Sequence, residues 1–509
     1  MRRRTLLKLL GVNLGAVAIN ARDGGRTWAS IFHPASAFSA LGAQAGAAGS
    51  TKTFSEEIAD FIVSAKFSDL PADVIKKAKE QIVYHFGIAF SGTFSAEAAK
   101  MRDVLRQMGQ PSGGTTVIGE RVRLFPLDAA FANCTLMRAT WQDDVVWPAG
   151  IHAGLMTLPT ALAIGEAKRI AGREMLLAIV LGYEVLGKLG RAADSWAAPL
   201  PRRPTMIYGP YGPITVAARL LKLDQQHMAN ALGYAANLGM GVPAGPMEYF
   251  YGLMSRNATF AAQLAEAGGA PYGRYTIEGE TGVYRSFFGA VPATLPELIA
   301  SLGSDWEIRN AAQKRYPGTG QNTVATELFL KLVKQNKLTV SQVVKIDAFA
   351  SRPEDSEERR KELTLRGPFQ NWTEAYSSLP YALALVLVDG EVSPERFRDG
   401  PNLNDAIVAG VMEKIHVIFE EGHGSVRYSR LAVYTTDGRK LVTDSEHSDI
   451  SGNFTFPFPP SMWGAWLQAD GKRLLPLTQL QQLEHLIGDL ENVDDVSKLM
   501  ALVAPTDGL

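Results

Sequence analysis

The chain has 509 residues, 46% of them hydrophobic and 20% charged, with 51 Lys and Arg against 52 Asp and Glu. That length exceeds what one hydrophobic core sustains, so two domains are expected. The charge balance excludes a nucleic-acid partner, which needs concentrated basic charge, and a single cysteine, Cys134, with no Cys/His cluster at zinc spacing, excludes an internal disulfide and a structural metal.

Arg3-Arg4-Thr5-Leu6-Leu7-Lys8 fits the twin-arginine export pattern, and the run from Leu9 to Ala21 is too short and too diluted by Gly and Asn to span a membrane. Export to the periplasm is expected, with cleavage at Ala35-Ser36-Ala37 or Ala45-Gly46-Ala47 and no stable membrane span afterwards. Residues 1–50 are then signal and linker. Apolar residues at helical spacing (Phe54, Ile58, Phe61, Ile62) open the mature chain, and a second helix starts at Leu70-Pro71 and runs through Phe90 to Ser91-Gly92, with Pro71 in its first turn.

Next comes a breaker-rich loop, Gln142 to Gly154, that gathers Asp143, Asp144 and His152. Pro148, Gly150 and Gly154 end helices, so polar side chains there are presented at helix ends, where reactive groups are commonly held. A paired Asp ahead of a helix also suits a cap, and a lone His also suits packing. Ala- and Leu-rich stretches follow at Leu158 to Ile170, Gly172 to Leu189, Ile214 to Leu221, Gln225 to Leu238 and Ala258 to Ala267. Together they predict a helical domain over residues 51–300.

Beyond residue 300 the runs Val343 to Phe349, Ile415 to Phe419, Val426 to Thr435 and Leu441 to Thr443 are short and β-branched or aromatic, with Asp437-Gly438 in hairpin position. Helices are expected between them at Asn322 to Leu332 and Leu379 to Val388. The fold class is therefore mainly α with an α+β second domain, placed at 301–450. The C-terminal segment, 451–509, with helices expected at Leu477 to Leu490 and Val493 to Leu502, is read as returning to the helical domain. Gly239 to Gly245 is glycine-rich, but its last spacing is wrong for a dinucleotide fingerprint and it follows a helix. Phe454 to Pro460 reads as a stiff contact loop. P-loop, HExxH, GxSxG and EF-hand patterns are absent.

Several ordered segments over residues 53 to 465 resemble the MmgE/PrpD family. They are Val74 to Gly92, Asn133 to Asp144, His152-Ala153-Gly154, Gly182-Tyr183-Glu184-Val185, Ala217 to Leu221, Lys314-Arg315-Tyr316-Pro317, and Ser378 to Ala384 with Asp389-Gly390. The resemblance implies an all-helical domain with a smaller α/β lid, a homodimer, no organic cofactor and small di- or tricarboxylate substrates. It also implies removal of a proton beside a carboxylate, followed by loss of water, loss of carbon dioxide or stereoinversion.

The departures fall at the site. Arg138 stands where the family has His, Trp141 where it has Asp, and Val145 where it has Thr, with one extra residue between Asp144 and His152. Arg203 occupies the family Gly-x-His position and Met247-Glu248 the pocket lysine position. Retained are Asp143, Asp144, His152, Lys314 and Tyr316. His152 is then the expected acid/base, oriented by Asp143 or Asp144, with Tyr316 or Lys314 as second proton carrier or anion contact. Arg138 and Arg203 are expected to clamp substrate carboxylates. An exported, dehydratase-type lyase is the leading reading; an epimerase, or a non-catalytic carboxylate-binding homologue, remains open.

Overall fold

The computed structural model describes residues 52–108, 111, 113–193, 204–239, 247–269, 274–351, 357–398, 401–421, 428–446 and 458–505. The twin-arginine segment, Arg203, Met240 to Gly245 and most of Phe454 to Pro460 lie outside them. The helical part begins with α1 (Phe54–Ser64), fixed by a capping box in which Thr53 and Glu56 satisfy each other's backbone N–H groups. Helix α2 (Ala72–Gly92) follows, with Pro71 as its N-cap, one residue before the expected first turn.

Then come α3 (Ala96–Gln107), α4 (Pro126–Arg138), α5 (Gly154–Lys168), α6 (Gly172–Ala192), α7 (Tyr211–Leu220), α8 (Gln225–Ala235) and α9 (Met247–Glu266). Helix α5 is apolar all round, and its first thirteen residues, Gly154 to Glu166, are buried, as a central helix must be. Helix α9 starts well before the expected Ala258. Among the described residues no helix is long and apolar enough to cross a membrane.

The α+β part is built on a four-stranded sheet of β3 (Val343–Ser351), β4 (Ile415–Glu420), β5 (Ser429–Thr435) and β6 (Lys440–Asp444), in the order β4-β3-β5-β6. Strands β3 and β4 run parallel, while β5 pairs antiparallel with both β3 and β6. Helices α10 (Gly320–Asn336), α11 (Trp372–Ser377) and α12 (Leu379–Asp389) share its core. Near the C-terminus, α13 (Trp463–Gly471) and α14 (Leu477–Gly488) pack into the same core as α1 to α9. The expected helix from Val493 to Leu502 is only Ser497–Ala501.

Two hydrophobic cores result. One gathers residues from Ile58 to Ala311 with those from Phe458 to Val503; the other gathers Val145 with residues from Ala312 to Val433. Their seam runs through a two-residue antiparallel pairing of β1 (Val145–Val146) with β2 (Ala311–Ala312). Val145 belongs to the second core and Val146 to the first, so the acid-bearing loop is anchored from both sides.

Candidate active site

Arg138 is the last residue of α4, and the chain then turns through Trp141, which sits in the left-handed region at φ 51°. A non-glycine residue holds that conformation only where its surroundings fix it. Here the Trp141 indole N–H donates to Glu248 of α9, its ring packs edge-on to Tyr376 at 4.5 Å and Trp372 at 5.7 Å, and the Arg138 guanidinium lies 4.3 Å from its centroid. The Tyr376 hydroxyl bridges the carbonyls of Trp141 and Gly318. These contacts aim the next two residues, Asp143 and Asp144, inward, where both are fully buried.

The two acids have different roles. Asp143 Oδ1 accepts from Arg138 Nη1 at 2.5 Å, and its Oδ2 lies 2.5 Å from His152 Nδ1. Lys314 Nζ is 3.9 Å from Oδ1 and donates to the Trp141 carbonyl at 2.8 Å. Burial by itself raises the Asp143 carboxyl, but the charges of Arg138, then His152 and Lys314, outweigh it and hold the group well below the usual carboxylate range. Asp143 is thus a buried carboxylate kept ionised.

Asp144 accepts the Gly154 N–H at 3.0 Å and the Tyr183 hydroxyl at 2.8 Å, with His85 Nε2 3.4 Å from its Oδ1. The N-cap residue of α5, Ala153, carries no capping side chain, so Asp144 supplies the cap from ten residues upstream. Gly154 has no room for anything larger, because a Cβ there would lie 2.2 Å from the Tyr183 hydroxyl and 2.4 Å from the His85 ring. The capping reading of the paired acids therefore describes Asp144, while Asp143 is held in an ion pair.

His152 is the member that reaches toward solvent, with 19% of its side chain exposed against none for Asp143. Its Nδ1 faces two acceptors, the Asp143 carboxylate and the Asp144 carbonyl at 2.8 Å. A neutral imidazole so placed carries its proton on Nδ1 and presents Nε2 as the basic nitrogen. Its backbone N–H donates to Thr205 Oγ1 at 3.2 Å.

The segment carrying Lys314 is brought in by the β1–β2 pairing and by Tyr84, whose buried hydroxyl meets the Gln142 carbonyl and both the N–H and the carbonyl of Lys314 at 2.9 Å. Of the retained residues, Asp143, Asp144, His152 and Lys314 thus converge, with Arg138 among them. Tyr316 is buried in the second core, beside Arg315, whose guanidinium lies 5.6 Å from its ring. Burial first, then Glu327, raises its hydroxyl, and no described contact joins it to Asp143. Tyr84, His85 and Tyr376, given no role from the sequence, complete the cluster together with Tyr183 of the Gly182-Tyr183-Glu184-Val185 segment and Glu248 at the pocket lysine position. Among the described residues no three of His, Cys, Asp and Glu gather as a metal centre requires.

The MmgE/PrpD N-terminal domain matches residues 56–295. A cis-aconitate decarboxylase-like protein of Aspergillus oryzae is 24% identical over 482 residues, covering 88% of this chain and 96% of that protein. The cis-aconitate decarboxylase of Aspergillus terreus is 24% identical over 489 residues, covering 88% and 95% respectively. That of Homo sapiens is 24% identical over 480 residues, covering 89% and 95%.

Proposed function

This chain belongs to the MmgE/PrpD family, and from that premise we propose that it is a lyase of the dehydratase or decarboxylase type, acting on a small di- or tricarboxylate without an organic cofactor. The observation that carries the reading is that His152 Nδ1 donates to the Asp144 carbonyl at 2.8 Å and lies 2.5 Å from the Asp143 carboxylate. Nε2 is then the atom that takes a proton from the carbon beside a substrate carboxylate. The imidazolium formed lies 2.5 Å from a carboxylate already held ionised, so its charge is balanced as it appears. Asp144 orients the same loop through its cap on α5.

Lys314, whose Nζ lies 3.9 Å from Asp143, is assigned to the developing anion or to returning the proton, and Arg203 to a substrate carboxylate; buried Arg138 is committed to Asp143 and Tyr316 to the second core, so neither keeps the role expected from the sequence. Two of the named relatives are cis-aconitate decarboxylases and the third is a cis-aconitate decarboxylase-like protein, which puts a tricarboxylate first among substrates to test. Residues 301–450 are read as a lid over the helical part at 51–300, with 451–509 returning to the latter. Support comes from the position of the acid loop on the seam between two cores. The twin-arginine pattern supports export to the periplasm, and the family resemblance supports a homodimer.

The test is proton NMR in deuterium oxide with a panel of di- and tricarboxylates, comparing wild type with His152→Ala. Deuterium is expected beside a carboxylate in the wild type, at a rate that falls by about 10²- to 10⁴-fold in the variant. The product formed separates loss of water from loss of carbon dioxide, and inversion alone would make the enzyme an epimerase. Ligands that raise Tm yet never exchange a proton would replace the lyase with a carboxylate-binding protein.

A further inference from the structure

Helix α2 carries a row of polar side chains that the chemistry above does not use. Lys77, Gln81 and His85 are spaced four apart, which stacks them on one stripe of the helix. Gln81 and His85 are fully buried, and Lys77 keeps 20% of its side chain exposed. Gln313, also fully buried and next to Lys314, accepts from Lys77 Nζ at 3.2 Å. At the inner end, His85 Nδ1 meets the Gln81 carbonyl at 2.8 Å, while its Nε2 lies 3.4 Å from Asp144 Oδ1 without making a hydrogen bond. At the outer end, Lys77 Nζ lies 3.7 Å from Glu80.

Four buried polar atoms along this stripe have no hydrogen-bond partner among the described residues: Gln81 Oε1 and Nε2, Gln313 Nε2 and His85 Nε2. Burying an amide without partners is costly, and native interiors meet such groups with internal water. Apolar residues would fill a helix interface at less cost, so the row of polar groups needs a reason. We propose that a file of internal water follows this stripe and carries protons between the Asp144–His85 pair and the surface at Lys77 and Glu80. A proton accepted at the inner end passes to a neighbouring water, which releases one of its own to the next. No link gains a net proton and nothing is oxidised. A lyase that takes up a substrate proton at each turnover needs such an exchange with solvent; that use rests on the proposed function, whereas the file itself does not.

The test needs no substrate. In the full chain labelled with ¹⁵N-histidine, His85→Phe assigns the His85 ring signals among the eight histidines. Exchange of the His85 Nδ1–H with solvent deuterium is then followed in wild type and in Gln81→Leu, which keeps the volume and removes the amide. The file predicts exchange far faster than that of buried backbone amides of α2, slowed about tenfold or more in Gln81→Leu. Loosening of the core would speed exchange in the variant, not slow it. Slow exchange in the wild type, or an equal or faster rate in Gln81→Leu, overturns the proposal. Absence of turnover with every carboxylate would sink the lyase reading and leave this result standing.

Discussion

Arg138 shows how one side chain sets the character of the site. Its guanidinium is 2% exposed, lies against Trp141 and Tyr251, and holds Asp143 at 2.5 Å. Arg138→Ala strands a fully buried carboxylate, so a loss of about 3–5 kcal/mol is expected in denaturant unfolding. Arg138→Ala combined with Asp143→Asn should recover part of that loss, because the second change removes the stranded charge; purely additive losses would mean the pair is not coupled. Asp143, Asp144 and His152 were legible because one short loop carries all three. Arg138 was legible as a cation but not as the partner of Asp143, since pairing depends on the turn at Trp141. His85 escaped notice as a single histidine on an apolar helix; only the Lys77-Gln81-His85 spacing marks it, and that means little until Asp144 is seen beside it.

At the scale of elements, α5 begins where Asp144, Tyr183 and His85 close around Gly154. Gly154→Ala would set a methyl 2.2 Å from the Tyr183 hydroxyl and 2.4 Å from the His85 ring, both within the packed interior. The first turn must shift and weaken the Asp144 cap, for an expected loss of about 1–3 kcal/mol in thermal unfolding. A variant as stable as wild type would show that this corner is looser than its distances imply. Most helices and all four sheet strands were readable from periodicity and β-branched runs. The start of α9 was not, because Tyr249-Phe250-Tyr251-Gly252 has weak helix propensity. Packing overrides it: a Cβ on Gly252 would lie 2.7 Å from the Phe131 ring, so glycine permits the close crossing of α9 and α4. The order β4-β3-β5-β6, parallel on one side of β3 and antiparallel on the other, is likewise set by tertiary pairing that no local run encodes.

For the molecule as a whole, a buried network on α6 ties stability to pH. Glu184 accepts the N–H groups of Gly303 at 3.1 Å and Glu307 at 2.8 Å, while Lys188 lies 3.9 Å from it and 3.3 Å from Glu307. This holds the segment from Gly303 to Glu307 against α6, just ahead of β2 and Lys314. Burial raises the Glu184 carboxyl from 4.5 to about 7, against the smaller opposing effects of the Glu307 N–H and Lys188. A carboxyl raised in the folded state binds its proton more tightly there than in the unfolded chain. Its stabilising contribution is therefore complete below pH 4.5 and lost as pH rises to about 7, a span worth at most on the order of 3 kcal/mol. Glu184→Gln stays neutral throughout, so its stability relative to wild type should improve between pH 5 and pH 8. Denaturant unfolding of both proteins at the two pH values measures the change directly. A difference that stays constant, or turns against the glutamine as pH rises, would mean that Glu184 is ionised across the whole range and that Lys188 and the two backbone N–H groups outweigh its burial.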